Sequence, residues 1–83
     1  MKPTRWSMLK SERLKRTRGV SFEEIVKSKL IDGLQHPTKA EQRILVFERK
    51  GYLWAVPCVE GDSEIFLKTI FPSRKLMKIY KKR

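Results

Sequence analysis

The sequence is short of several things, and each shortage excludes a class of protein. It has one cysteine, Cys58, in 83 residues. No internal disulfide can form, the fold is not a disulfide scaffold, and a single thiol fits a reducing compartment. There is one histidine, His36, and no CxxC, HExxH or GxSxG spacing, so the usual metal and nucleophile frameworks are missing and no cofactor or metal is expected. Four scattered glycines cannot assemble a phosphate-cradling loop. The longest apolar run, residues 53–59, falls far short of the roughly 20 residues that span a bilayer. Met1–Lys10 carries charge without the apolar stretch of about 7–15 residues that marks a signal peptide. The expectation is a soluble cytoplasmic protein with no membrane partner. A chain of this length makes one domain, residues 1–83, and buries only about 60–65% of its unfolded surface, so its core should be thin.

Acidic residues are also scarce. Twenty Lys and Arg face nine Asp and Glu, leaving a net charge of +11. Residues 1–18 hold seven basic residues and one acid, residues 64–83 hold the same numbers, and the 45 residues between them hold six basic and seven acidic. The excess charge therefore sits at the two ends. If the ends meet in the fold, they make one basic surface, the footprint of a polyanion or an acidic protein. Solubility alone needs fewer charges than this.

Periodicity divides the chain into elements. Residues 5–18 read as a helix with Trp6, Leu9 and Leu14 on one face, stopped by Gly19 as a glycine C-cap does. Residues 21–31 read as a second helix: Ser21 and Glu24 form a capping box, and Phe22, Ile25, Val26 and Leu30 follow the helical repeat with Lys29 as an interruption. Residues 34–39 read as a loop. The period then shortens to that of strands at 43–49, 52–59 and 64–71, joined by tight turns at Lys50-Gly51 and 60–63 and so paired as an antiparallel meander. Pro57 lacks an N–H, so its donor side must be an edge or a bulge. A last helix over 73–82 should dock Leu76, Met77 and Tyr80 on the sheet. The predicted fold is α+β: two N-terminal helices, a three-stranded antiparallel sheet with room for a fourth short strand, and a C-terminal helix. The helices are expected on one face of that sheet.

The chemistry concentrates between residues 66 and 75. On a continuous strand Phe66, Lys68 and Ile70 share one side, and a lysine amid apolar neighbours needs water or an anion at its ammonium. Snorkelling at a sheet edge is the plainer reading. Arg74 falls in the first turn of the last helix, where the helix dipole favours anions over cations. Lys68, Ser73, Arg74 and Lys75 thus converge on paper on one phosphate, although Arg74 and Lys75 equally suit a solvated face. Such cations can stabilise the pentacoordinate transition state of RNA cleavage while a base and an acid move the protons. Tyr80, His36 and Glu48 are the candidates for proton transfer, and the plainer reading of Tyr80 is a core anchor with its hydroxyl at the surface. A lone Cys58 reads as a buried strand residue rather than a nucleophile.

The stretches Leu14-Lys15-Arg16-Thr17-Arg18-Gly19-Val20-Ser21-Phe22-Glu23-Glu24 and Ile65-Phe66-Leu67-Lys68-Thr69-Ile70-Phe71-Pro72-Ser73-Arg74-Lys75, with Trp6, resemble the BrnT family of toxins over most of the chain. The resemblance implies a RelE/ParE-like fold and a ribonuclease that blocks translation. It also implies a cognate BrnA-like DNA-binding antitoxin as partner, with operator DNA reached only through that antitoxin. Thr17-Arg18 stand where many members have Lys-His, and Ile70-Phe71 stand where many have two arginines. Lys68, Arg74 and Lys75 match the motif of a sub-branch of the family; with Tyr80 as the proton-transfer candidate, Lys68, Arg74 and Tyr80 are the expected catalytic residues. Lys10, Lys15, Arg16, Arg18, Ser73, Lys75 and Lys78 are the expected RNA contacts. A toxin of the same fold without ribonuclease activity, and a plain basic nucleic-acid-binding module, are the alternatives.

Overall fold

The computed structural model describes residues 2–35 and 38–81. In chain order these form β1 (Thr4–Arg5), α1 (Met8–Arg18), α2 (Phe22–Val26), β2 (Lys29–Gln35), β3 (Gln42–Arg49), β4 (Tyr52–Glu60), β5 (Ile65–Leu67), β6 (Phe71–Pro72) and α3 (Arg74–Tyr80). The class is α+β, as expected, but the sheet of the described residues has six strands rather than three. Its order is β1-β5-β4-β3-β2, with β6 also paired to β4. Its neighbours are antiparallel except β1 and β5, which run parallel.

The local signals explain most element ends. Ser7 caps α1 by accepting from the Lys10 amide at 3.2 Å, and Gly19 ends it in the left-handed conformation at φ 80, which glycine adopts without strain. The Ser21–Glu24 capping box forms on both sides. Lys50 and Gly51 turn the β3–β4 hairpin with φ of 53 and 79, the pair of left-handed residues that a two-residue hairpin loop requires.

Four expectations fail, each for a physical reason. Helix α1 begins at Met8, because residues 4 and 5 are drawn into β1, and Leu9 is 77% exposed. Leu9 and Leu14 are five residues apart, about 140° around a helix of 3.6 residues per turn; Ser11, three before Leu14, takes the inward place and is 2% exposed. Helix α2 stops at Val26, and residues 29–35 form an edge strand with a register shift between Leu30 and Asp32, where a helix tail and loop were expected. The third strand breaks into β5 and β6. Finally, the helices do not share one face of the sheet.

That last point follows from strand alternation. Leu45, Phe47, Val56, Cys58 and Leu67 pack with Leu14, Val20, Phe22, Ile25 and Ile70 under α1 and α2. Val46, Leu53 and Ala55, the intervening residues of β3 and β4, pack with Leu76 of α3 on the opposite side. The sheet is therefore covered twice, by a larger layer of α1 and α2 and a smaller one of α3. Cys58 is buried, and burial pushes its thiol above the ordinary range, which suits the strand residue read from the sequence. Among the described residues no helix is long and apolar enough to cross a membrane.

Phe22, fully buried, anchors the larger layer. Phe22→Ala should cost about 3–5 kcal/mol of stability, whereas Leu9→Ala should stay within about 0.5 kcal/mol. Urea unfolding midpoints of the two variants check the contrast.

Candidate functional site

Pro57 shapes the region where the predicted residues gather. The amide of Lys68 donates to the Pro57 carbonyl at 2.8 Å. A strand residue points its nitrogen and carbonyl to the same side, so the missing N–H of Pro57 lies on the edge that β5 pairs with. The ladder cannot continue there. β5 pairs with Cys58–Glu60, β6 pairs with Trp54 and Ala55, and residues 68–70 bridge the gap. Ile70 consequently turns inward and is fully buried, instead of sharing a side with Phe66 and Lys68. Lys68 follows the strand rather than sitting in it and is exposed, so its ammonium carries no burial cost.

The next residues tie this corner to α3. The Ser73 amide donates to the Leu53 carbonyl at 3.1 Å, and its hydroxyl accepts from the Leu76 amide at 3.1 Å. Ser73 is thus spent on capping the helix and fixing it to β4. Beside it runs a groove of about 390 Å3 lined by Leu34, Ile44, Ala55, Phe71, Ser73, Lys75, Leu76 and Ile79. Lys75 is its cation; Lys68 and Arg74 lie outside its lining. Five of the seven large hydrophobic residues most exposed among those described (Leu30, Phe66, Phe71, Ile79 and Tyr80) belong to β2, β5, β6 and α3.

Tyr80 is not a core anchor. It is 36% exposed, and its hydroxyl donates to Asp32 Oδ2 at 2.7 Å. That bond to a carboxylate, then burial and the Asp32 charge, raise its pKa above the ordinary phenol value, so Tyr80 holds a proton and cannot act as a base at neutral pH. Glu48 accepts from Lys81, which lowers its pKa and weakens it as a base. His36 lies outside the described residues.

The basic residues divide between the two faces of the sheet. Lys10, Lys15, Arg16 and Arg18 belong to α1; Lys75, Lys78 and Arg74 belong to α3. Several are already neutralised. Lys15 holds both carboxylate oxygens of Glu24 at 2.9 and 2.8 Å, and Lys2 and Arg43 share Glu60 at 2.8 and 2.6 Å. Arg16 lines a shallow cleft between α1 and α2 with Ser11, Lys15 and Glu23. Ser11 closes that cleft from inside, donating to Glu23 at 2.6 Å and accepting from the Phe22 amide at 3.0 Å; the first of these bonds does most to hold the Glu23 carboxyl below its usual range. By contrast Lys68, Arg74, Lys75 and Lys78 form no ion pair among the described residues. Arg18 alone reaches across, donating to the Ile70 carbonyl. The two ends meet at this bond and along the β1–β5 pairing, but the cations of α1 and α3 lie on opposite faces of the sheet.

The comparisons with known proteins follow this geometry. The structure is similar to the crystal structure of the Brucella abortus ribonuclease toxin, BrnT, with a TM-score of 0.56 and 19% sequence identity. The match covers 88% of this chain and 97% of that one. The fold is BrnT-like. No family model and no curated protein matches the sequence.

Sequence reasoning missed β1, β2 and the groove. Two residues of β1 carry no period to detect. Lys29, which interrupts the helical stripe, was the available signal for β2. The groove forms from residues of five separate elements and has no signature within any one of them. Among the described residues no three His, Cys, Asp or Glu side chains gather.

Glu24 offers a test of the α1–α2 contact. The Lys15 hydrogen bond, with the Ser21 amide, lowers its pKa from 4.5 to about 2. A carboxyl depressed on folding stabilises the fold above its unfolded pKa and loses that contribution as pH falls toward the folded one. The melting temperature should therefore drop as pH falls from about 5 to about 2, and Glu24→Gln should show a smaller drop over the same interval.

Proposed function

We propose that this chain is the toxin of a type II toxin–antitoxin pair and a metal-independent endoribonuclease. The observation that carries the reading is the fold shared with a ribonuclease toxin over 88% of the chain. A group of cations on the 68–78 segment with no carboxylate partner among the described residues supports it.

In this reading RNA lies along the corner and α3. Lys68, Arg74, Lys75 and Lys78 face its phosphates, and Arg18 adds a cation from the other side of the corner. The 2′-oxygen attacks phosphorus, the bond from phosphorus to the 5′-oxygen breaks, and a 2′,3′-cyclic phosphate and a free 5′-hydroxyl result. The cations stabilise the added negative charge of the pentacoordinate intermediate. Asp32 takes the 2′-hydroxyl proton and Tyr80 delivers its own to the leaving oxygen. Tyr80 then recovers a proton from Asp32 across their shared hydrogen bond, which restores both groups. Ser73 serves as the helix cap that presents Arg74 and Lys75. A cognate BrnA-like antitoxin would silence the enzyme, and operator DNA would be met only through it.

Purified protein incubated with defined RNA should release fragments ending in cyclic phosphate. Arg74→Ala combined with Lys75→Ala should slow that cleavage by about a hundredfold or more, and Tyr80→Phe should slow it without weakening binding. Affinity for uncleavable RNA should fall with added salt by about 0.7 log units per log unit for each phosphate contacted. Intact RNA from a protein that still arrests growth when induced would overturn the ribonuclease reading and leave a toxin with another target.

A further inference from the structure

Strand β4 begins with two aromatic residues on one face. Tyr52 and Trp54 are two residues apart, point to the same side, and meet edge to face with ring centroids 6.4 Å apart. Both are half-buried. Trp54 leans on the larger core cluster, to which Tyr52 does not belong, and its indole N–H has no acceptor among the described residues. A tryptophan kept only for the core normally places that N–H on a partner.

Cations flank the pair along the hairpin and on the neighbouring chain segments. Arg49 is the cross-strand partner of Tyr52 and is half-buried, its guanidinium 3.6 Å from Glu24. Lys50 is exposed at the hairpin tip with no ion pair among the described residues. Arg18 uses one of its five donors on the Ile70 carbonyl, is exposed, and has no carboxylate partner among the described residues. The pair also adjoins the corner: Trp54 pairs with Pro72, and Leu53, between the two rings in sequence, accepts from the Ser73 amide. The cationic corner and the half-buried aromatic pair thus share one stretch of β4, with the pair on the α1 side and α3 on the other.

We infer that Tyr52 and Trp54 form a stacking platform for unpaired bases of a single RNA strand, with Arg18 and Lys50 beside its phosphates. The inference deepens the ribonuclease proposal by naming where bases rest. Stacking on aromatic rings between cations is how single strands are held without regard to sequence. The apolar groove beside α3 offers no such ring pair, and an acidic peptide would gain little from these rings beyond charge.

Replacing Trp6 with Phe leaves Trp54 as the sole tryptophan and its fluorescence as a local reporter. An eight-nucleotide 2′-O-methyl oligoadenylate, which cannot be cleaved, should quench it saturably. Inorganic polyphosphate and polyglutamate of equal charge should not. In that background Tyr52→Ala should weaken oligoadenylate binding by about five- to a hundredfold, with Tyr52→Leu as the substitute if the alanine variant melts early. Arg74→Ala with Lys75→Ala should leave the quenching amplitude at saturation unchanged. Equal quenching by polyphosphate or polyglutamate, or unchanged affinity in the Tyr52 variant, would overturn the platform. Because the oligomer is uncleavable, that failure would stand apart from loss of ribonuclease activity, which would leave the quenching intact.

Discussion

One backbone group that proline lacks governs the arrangement around β4. The outer edge of this strand meets β5 along residues 58–60 and β6 along 54–55, with Pro57 between the two. Without a donor at Pro57 the neighbouring strand must lift away, and residues 68–70 become a bridge. The bridge turns Ile70 into the core, leaves Lys68 in water and delivers the chain at Ser73 to the far face of the sheet. A donor residue at this position would favour one unbroken strand, which would turn Ile70 to the other face of the sheet and out of the core under α1 and α2.

The same break explains why the charge does not act as a unit. The chain leaves α1 on one face and enters α3 on the other, so the basic ends that look alike in composition have different neighbours. Near the N-terminus carboxylates are at hand: Glu60 takes Lys2, Glu64 takes Arg5 at 3.5 Å, and Glu24 takes Lys15. Around α3, Lys68, Arg74, Lys75 and Lys78 have none among the described residues. Surface pairs of this kind contribute little stability, but they decide which cations remain for a polyanion.

Much of the fold was legible because it rests on local rules. The Ser21–Glu24 box, Gly19, the Lys50-Gly51 turn and the alternation of β3 and β4 each depend on residues close in sequence. What escaped was non-local. The placement of Lys29–Gln35 as a strand depends on the open edge of β3, and the two residues of β1 are fixed by an amide–carbonyl contact between Ile65 and Pro3 at 2.9 Å. The side of the sheet taken by α3 was set by the break at Pro57, whose edge position was anticipated although its effect on the third strand was not. Within the candidate site, Lys75 and Ser73 were placed at a groove, while Tyr80 found a carboxylate from β2 that no spacing within α3 could reveal.

Helix α3 is seven residues long and has Leu76 as its one buried side chain. Its remaining attachments are the Ser73 amide on the Leu53 carbonyl, Met77, whose sulfur accepts from the Leu53 amide at 3.3 Å, the Tyr80–Asp32 bond and the Lys81–Glu48 pair, the last two at the surface. Detaching it exposes a cluster of four buried residues and leaves the layer under α1 and α2 intact. Hydrogen exchange at the amides of α3 should therefore proceed by a partial opening, well before the hairpin of β3 and β4 gives up its protons. On this packing the last helix would open as one unit while the sheet beneath it stays folded.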